Sequence, residues 1–318
     1  MSRIIQFPYL FICFLLLGCD SDLKKVGPIS DRGDQYITVL GIAQDAGYPQ
    51  IGCDRTCCQL FYDKKEPKKL VSCLGLVDQE NQQKWIFDAT PDIGEQVFTL
   101  KEDHLDNGKV IDGVFLTHAH IGHYTGLMHF GLEALGSKNI SVYAMPKMKA
   151  FLETNGPWNQ LVTYKNIVLK ELKNDSTVDL NSKLKVSPIL VPHRDEYSET
   201  VGYRIEGVNK KVLFIPDINK WNMWEKDIIE EVKKVDYAFL DATFLKDGEI
   251  DRPMSQVPHP FITETTNLFK SEDMETKSKI YFIHFNHTNP AILDSHHLKD
   301  SISDLGFNFA KEGDVFPL

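Results

Sequence analysis

The sequence predicts a single α/β domain spanning residues 36–318, carried behind a cleavable N-terminal segment. Three observations lead to it. Strand-like and helix-like stretches follow one another from Tyr36 onward with no low-complexity linker between them. Hydrophobic residues make up 42% of the 318 and charged residues 25%, a balance that can fill a core and still cover it. No strong internal repeat divides the chain into smaller units.

The elements follow in order. Residues 36–42 form a β-type run, and the loop after it, with Gly47, Pro49 and Gly52, carries cysteines. Residues 71–78 and 84–88 read as a hairpin pair around a polar turn. Residues 91–101 have helical spacing, with Pro91 suited to the first turn. Residues 110–117 are a continuous apolar strand, 122–135 a helix and 140–144 a short strand. In the second half, 184–190, 200–205, 211–216, 235–241, 280–285 and 307–310 read as strands, and 221–233, 260–270 and 290–303 as helices.

The N-terminus stands apart from this pattern. After Arg3, an apolar run over residues 4–17 is broken only by Gln6 and Pro8. It is too short to span a bilayer and has the length of a signal-peptide core. It ends in Leu16-Leu17-Gly18-Cys19, which resembles a bacterial lipobox. Residues 1–18 are therefore expected to be removed as a signal peptide and Cys19 to carry lipid. Residues 19–35, polar and with Gly27, Pro28 and Gly33, would form a tether. The expected location is the cell envelope, as a membrane-anchored lipoprotein. A net charge of −10 repels phosphate backbones and excludes a general nucleic-acid binder.

Once Cys13 and Cys19 are set aside, Cys53, Cys57, Cys58 and Cys73 remain. Three of them crowd into six residues, where neighbours pair as disulfides only under strain. Thiolates so crowded suit a tetrahedral zinc better. Cys73 reads as buried strand packing, and as the reserve fourth ligand.

The segment Thr117-His118-Ala119-His120-Ile121-Gly122-His123 leaves a buried strand with three histidines in six residues. On an extended backbone His118 and His120 point the same way, and His123 sits at the entry of the following helix. Three neutral nitrogens brought to one point are what a borderline-soft divalent ion needs. By contrast His104, His129, His296 and His297 sit at no strand end and look structurally plain.

This segment resembles the HxHxDH signature of the metallo-β-lactamase superfamily. Four further residues fall in that family's order: Asp88 as its early aspartate, His193 as the third ligand of the first metal site, Asp217 as the bridging aspartate and His284 as the last histidine. The resemblance implies an αββα sandwich. The branches most alike are pyrroloquinoline quinone biosynthesis protein B and the cyclic phosphodiesterase of phosphonate breakdown. The Cys53–Cys58 loop, Asp88-Ala89-Thr90-Pro91-Asp92 and His284-Phe285-Asn286-His287-Thr288-Asn289-Pro290 carry that likeness. It implies a closed structural zinc on Cys53, Cys57, Cys58 and His287. The signature's aspartate is Gly122 here. The first site would keep His118, His120, His193 and Asp217, while the second, left with His123, His284 and a share of Asp217, would be weak or empty.

The implied function is a zinc-dependent hydrolase in which a metal-bound hydroxide attacks an ester or phosphodiester of a small molecule. Asp217 would bridge metals or orient the nucleophile. His259, between Pro258 and Pro260, would contact substrate or act as general acid, with a plain surface histidine as the alternative. Two rivals remain: an iron-dependent oxidoreductase like the quinone-pathway branch, and a binding protein with a degenerate site, motivated by Gly122.

Overall fold

The computed structural model describes residues 32–294 and 296–318. The signal-peptide, lipobox and most of the tether expectations lie outside them.

The first half of the chain builds one sheet and the second half another. β1 (Gln35–Gly41), β2 (Cys73–Asp78), β3 (Gln83–Phe87), β4 (Gly113–Phe115), β5 (Ile140–Ala144) and β6 (Ile167–Glu171) pair in chain order. β7 (Val178–Asp179), β8 (Lys185–Leu190), β9 (Val201–Glu206), β10 (Lys211–Ile215), β11 (Tyr237–Asp241), β12 (Ile280–Ile283) and β13 (Asn308–Phe309) form the second sheet. β14 (Val315–Pro317) crosses back to pair with β1. In each sheet the hairpin half is antiparallel and the remainder, β3–β6 and β10–β13, is parallel.

Side-chain alternation explains the layers. In β1, β3 and β4 one set of residues (Ile37, Val39, Trp85, Phe87, Phe115) enters the core shared with the second sheet. The other set (Tyr36, Leu40, Ile86, Val114) faces the opposite way, onto Ile93, Met148, Leu152 and Leu161 of the covering helices. Ile228, Val232 and Ile262, from helices Ile228–Lys233 and Ile262–Leu268, join the core from the second sheet's side. This is the αββα sandwich that the resemblance implies. Phe115 is central to it, stacked 5.1 Å from Phe87 and 4.3 Å from Tyr143.

Several boundaries differ from the sequence reading. Arg32, buried and bonded to the Asp103 carbonyl, already belongs to the fold, so the domain begins a few residues before 36. The expected helix over 122–135 is a single turn, Ile121–Tyr124, followed by the tighter turn Thr125–Phe130. The cause is close contact: the Gly126 N–H bonds the Ala89 carbonyl, and a Cβ at 126 would lie 2.1 Å from the Thr90 oxygen. The stretch over 221–233 splits at Asp227, which caps Ile228–Lys233 through the Ile229 N–H. The stretch over 290–303 likewise splits into Pro290–Ile292 and Leu298–Ser303. Two of the cysteines expected on a loop lie on a helix, Thr56–Tyr62.

Candidate metal centre

Most candidate ligands among the histidines and aspartates lie just past the carboxyl end of a strand, and His123 stands on the helical turn Ile121–Tyr124 that follows. Thr117–His120 follow β4, Asp88 follows β3, His193 follows β8, Asp217 follows β10 and His284 follows β12. Side chains from both sheets therefore meet at one end of the sandwich. Two links hold that end together. Val201, the first residue of β9, donates its N–H to the Thr117 carbonyl, and the Tyr203 hydroxyl donates to the Leu116 carbonyl. On the other side Phe285 donates to Ile42 and accepts from Gln44, zipping the loop after β1 to the loop after β12.

Two groups of four donors result, each within 4.8 Å internally, beside a group of three formed by Asp217, Asp241 and His259. The first is His118, His120, His193 and Asp217; the second is Asp45, His123, His284 and Asp217. Nε2 of His118 and of His193 stand 3.4 and 3.5 Å from the Asp217 carboxylate, and Nε2 of His123 and of His284 stand 3.2 and 3.5 Å from it. Asp217 is thus common to both.

Local hydrogen bonds orient the rings. The Asp88 carboxylate accepts from the Thr117 N–H (2.8 Å), the Thr117 hydroxyl (3.0 Å) and His123 Nδ1 (2.7 Å). The Thr117 hydroxyl, donating to Asp88, can only accept from His118 Nδ1, 2.9 Å away. Thr243 repeats the device, donating to Asp241 (2.7 Å) and accepting from His284 Nδ1 (2.9 Å). Nδ1 of His118, His123 and His284 is thus held by Thr117, Asp88 and Thr243, which turns Nε2 of each ring toward the shared carboxylate; Nε2 of His118 also lies 2.8 Å from His120 Nδ1. Asp88 and His284 adopt φ of 71° and 67°, a backbone strain stored beside these contacts.

The electrostatics match a cation. Burial, reinforced by neighbouring histidines, pushes His118 well below the usual imidazole range, and burial lowers His120 and His193. Burial opposes ionisation of Asp217, yet His284, His193 and His259 hold it well below the usual carboxylate range. Burial would lower His123, but Asp88, Asp217 and Asp45 outweigh it, so a proton sits where these carboxylates demand positive charge. Nε2 of His123, His193 and His284 and the Oδ1 atoms of Asp45 and Asp217 are buried without a hydrogen-bond partner among the described residues. Convergent, orphaned nitrogen and oxygen donors fit a divalent ion.

Comparison with known proteins agrees. The family model for the beta-lactamase superfamily domain matches residues 84–285. The chain belongs to the beta-lactamase superfamily. Coenzyme PQQ synthesis protein B of Methylorubrum extorquens is 24% identical over 309 residues, covering 87% of this chain and 98% of that protein. The protein of the same name from Methylococcus capsulatus is 22% identical over 306 residues, with 87% and 98% covered. Among solved structures, zinc-bound PqqB from Methylobacterium extorquens superposes with a TM-score of 0.73 at 20% identity, covering 89% of this chain and 100% of that one. A diphosphatase of the PhnP family superposes with a TM-score of 0.63 at 22% identity, covering 89% and 96%.

Within this beta-lactamase superfamily chain, the expectation of a depleted second group is corrected. A Cβ built on Gly122 would lie 2.4 Å from both Cα and Oδ1 of Asp45. Asp45 therefore fills the space of the signature's missing side chain and presents a carboxylate 3.1 Å from His123 Nε2. The degenerate-site reading loses its motive. Sequence reasoning missed Asp45 because it arrives through the Phe285 zipper, far from the histidine segment.

His259 is not a surface residue. It is buried, with Nδ1 3.1 Å from Asp217 and 2.9 Å from Asp241. Burial lowers its pKa, but the two carboxylates overcome this and raise it to about 10, so it is charged at neutral pH. His104 is buried between Thr38, Tyr36 and Arg32, in keeping with a structural part.

The structure also brings Cys53, Cys57, Cys58 and His287 within 4.8 Å of one another. Burial pushes the Cys57 thiol up and the Cys58 thiol up to about 12, and His287 Nδ1 has no partner among the described residues. The raised thiols of Cys57 and Cys58, gathered with Cys53 and His287 into a mixed sulfur and nitrogen set, fit a metal that would displace their protons. Cys73, fully buried at the start of β2, packs in the core and is not part of this group.

Proposed function

We propose that this chain is a zinc-dependent hydrolase acting on a phosphodiester or carboxylic ester of a small molecule. Asp45, His118, His120, His123, His193, Asp217 and His284 would hold the catalytic ions, and Cys53, Cys57, Cys58 and His287 a structural one. The observation that carries the reading is the pair of four-donor groups sharing one buried carboxylate, Asp217. A divalent ion at such a point supplies Lewis acidity and a nucleophile from water at neutral pH.

The chain's own residues provide the rest. Asp217, kept charged, serves both groups at once. His259, hydrogen-bonded through Nδ1 to Asp241, sets a positive charge 3.1 Å from Asp217 and helps keep it ionised. Thr117 and Thr243 each accept from the Nδ1 of a histidine, His118 and His284, which turns Nε2 of that ring toward the site.

The test is elemental analysis and a panel of diesters and esters, run on chelated and zinc-reloaded protein and on His118→Ala. The two four-donor groups at Asp217 and the cysteine group predict three zinc ions in the parent, the Asp217, Asp241 and His259 group being occupied by the charge of His259 itself. His118→Ala should lose an ion and the hydrolysis together; hydrolysis that survives it refutes the reading. An oxidative role with iron is the second reading, because curated relatives are named for coenzyme PQQ synthesis and His/carboxylate sets also suit iron. Bound iron with oxygen consumption would select it.

The lipobox-like Cys19 supports attachment to the cell envelope by lipid. No helix among the described residues is long and apolar enough to cross a membrane. Cys19→Ser should move the protein from the detergent phase to the aqueous phase.

A further inference from the structure

A cleft of about 770 Å³ opens beside the metal centre, with His120 and Asp45, one donor from each group, on its lining. One wall is a continuous run of aromatic rings. Tyr124, the residue after His123, lies 5.0 Å from Trp158 and 5.4 Å from Phe151. Phe151 lies 5.7 Å from Trp158 and 5.8 Å from Tyr197. Tyr197, at the outer end, is 65% exposed, a large apolar surface left in water. The Trp158 indole N–H has no acceptor among the described residues.

Two charged residues share the lining. Arg194 follows His193 directly, and its guanidinium makes no hydrogen bond or ion pair with any described residue. Glu196, half exposed, has its carboxylate 3.7 Å from His120 Nε2. A hydrogen bond from its own backbone lowers the pKa of Glu196, and Arg194 is close enough to lower it further. The one cation of the lining is thus partly offset by one anion, which suits a ligand with a single negative charge and disfavours one with two. The aromatic wall suits a flat ring, which stacks on such faces.

We infer that the cleft selects a singly charged phosphodiester bearing an aromatic ring, the ring lying along Phe151, Trp158 and Tyr197 and the charged oxygen meeting Arg194. This deepens the hydrolase reading and rests on it for turnover, though not for binding. Stacking of one ring predicts a preference of roughly 5- to 100-fold over an alkyl group of the same charge.

Binding separates the two claims. The full protein, loaded with zinc, is titrated with diphenyl phosphate, dimethyl phosphate and phenyl phosphate, and affinity is read by calorimetry. Diphenyl phosphate should bind at least about fivefold more tightly than dimethyl phosphate, and phenyl phosphate, with its second charge, more weakly than diphenyl phosphate. Trp158→Ala and Arg194→Gln should each cost about tenfold, and Trp158→Phe should restore most of the loss. Tyr197→Ala, at an exposed position where folding is not at stake, should also weaken diphenyl phosphate alone. In turnover, Trp158→Ala and Tyr197→Ala should each lower kcat/KM for bis(4-nitrophenyl) phosphate by the factor they cost in binding. Equal binding of the diphenyl and dimethyl diesters, with diesters still hydrolysed, overturns this inference and spares the hydrolase. Selective binding of diphenyl phosphate without hydrolysis of any diester does the reverse.

Discussion

Gly122→Ala removes no ligand, yet it should cost this protein one metal ion. The new methyl group would stand 2.4 Å from Cα of Asp45, where carbon atoms normally approach no closer than about 3.5 Å. The obstacle is backbone, so the loop carrying Asp45 must retreat by roughly 1 Å, half of a metal–oxygen bond of about 2 Å. The Asp45 carboxylate would then leave the second group. A unit charge pair at 4 Å and an effective dielectric of 20 is worth about 4 kcal/mol, or roughly 10³-fold in affinity. Asp45→Asn, which keeps the shape and removes the charge, sets the scale for that loss. Exchanging the two residues should not repair the site, because Cα of residue 45 itself blocks a Cβ at 122. The assay is competition of the chelated protein with a chromophoric chelator, resolving each zinc affinity. The first histidine group and the cysteine group should retain their ions, which also shows that the variant folds. Unchanged affinity at the second group in Gly122→Ala would sink the argument, since either the loop does not rest on Gly122 or Asp45 is no ligand.

Other consequences are simpler to measure. Asp88→Asn leaves an amide where three donors converge, so the metals should bind roughly 10- to 100-fold more weakly in the same competition assay. His104 is pushed down to about 4 by burial and by Arg32, against about 6.5 in an unfolded chain. The folded state thus refuses a proton that the unfolded state takes up, and stability present above pH 6.5 is lost as pH falls toward 4, by ~3 kcal/mol. Urea midpoints should lose that slope in His104→Gln; parallel curves for parent and variant would contradict it. Cys58→Ser should remove one ion and lower the melting temperature of the zinc-loaded protein, with hydrolysis reduced much less than by His118→Ala. Phe115→Ala, at the centre of the inter-sheet core, should cost about 3–5 kcal/mol by chemical denaturation.

What could be read from the sequence was local. Apolar runs ending in ligand residues gave the strands, and because those runs end at the same edge of two sheets, His118, His193, Asp217 and His284 meet without any residue between them being informative. Asp88 was legible as a motif position, but not as the residue that orients the rings of His118, through Thr117, and of His123. The aromatic wall was hidden because Phe151 lies on a helix among core residues. Met148 and Leu152 face inward, and the same spacing in a sequence cannot tell a buried ring from one lining a cleft.

Asp45 is the instructive case. The pairing of Cys53, Cys57 and Cys58 with His287 already required the loop after β1 to run alongside the loop after β12. His284 is three residues before His287, so a carboxylate eight residues before Cys53 had to pass near it. The zipper through Ile42, Gln44 and Phe285 is the physical form of that constraint. A glycine in place of a ligand then carries two opposite meanings: a site abandoned, or a space taken by a ligand from elsewhere in the chain. Only packing distinguishes them. Here even a Cβ at 122 would meet Cα and Oδ1 of Asp45 at 2.4 Å, so no side chain at 122 can share that space with the Asp45 carboxylate. The glycine is therefore the condition for the carboxylate rather than the sign of its loss.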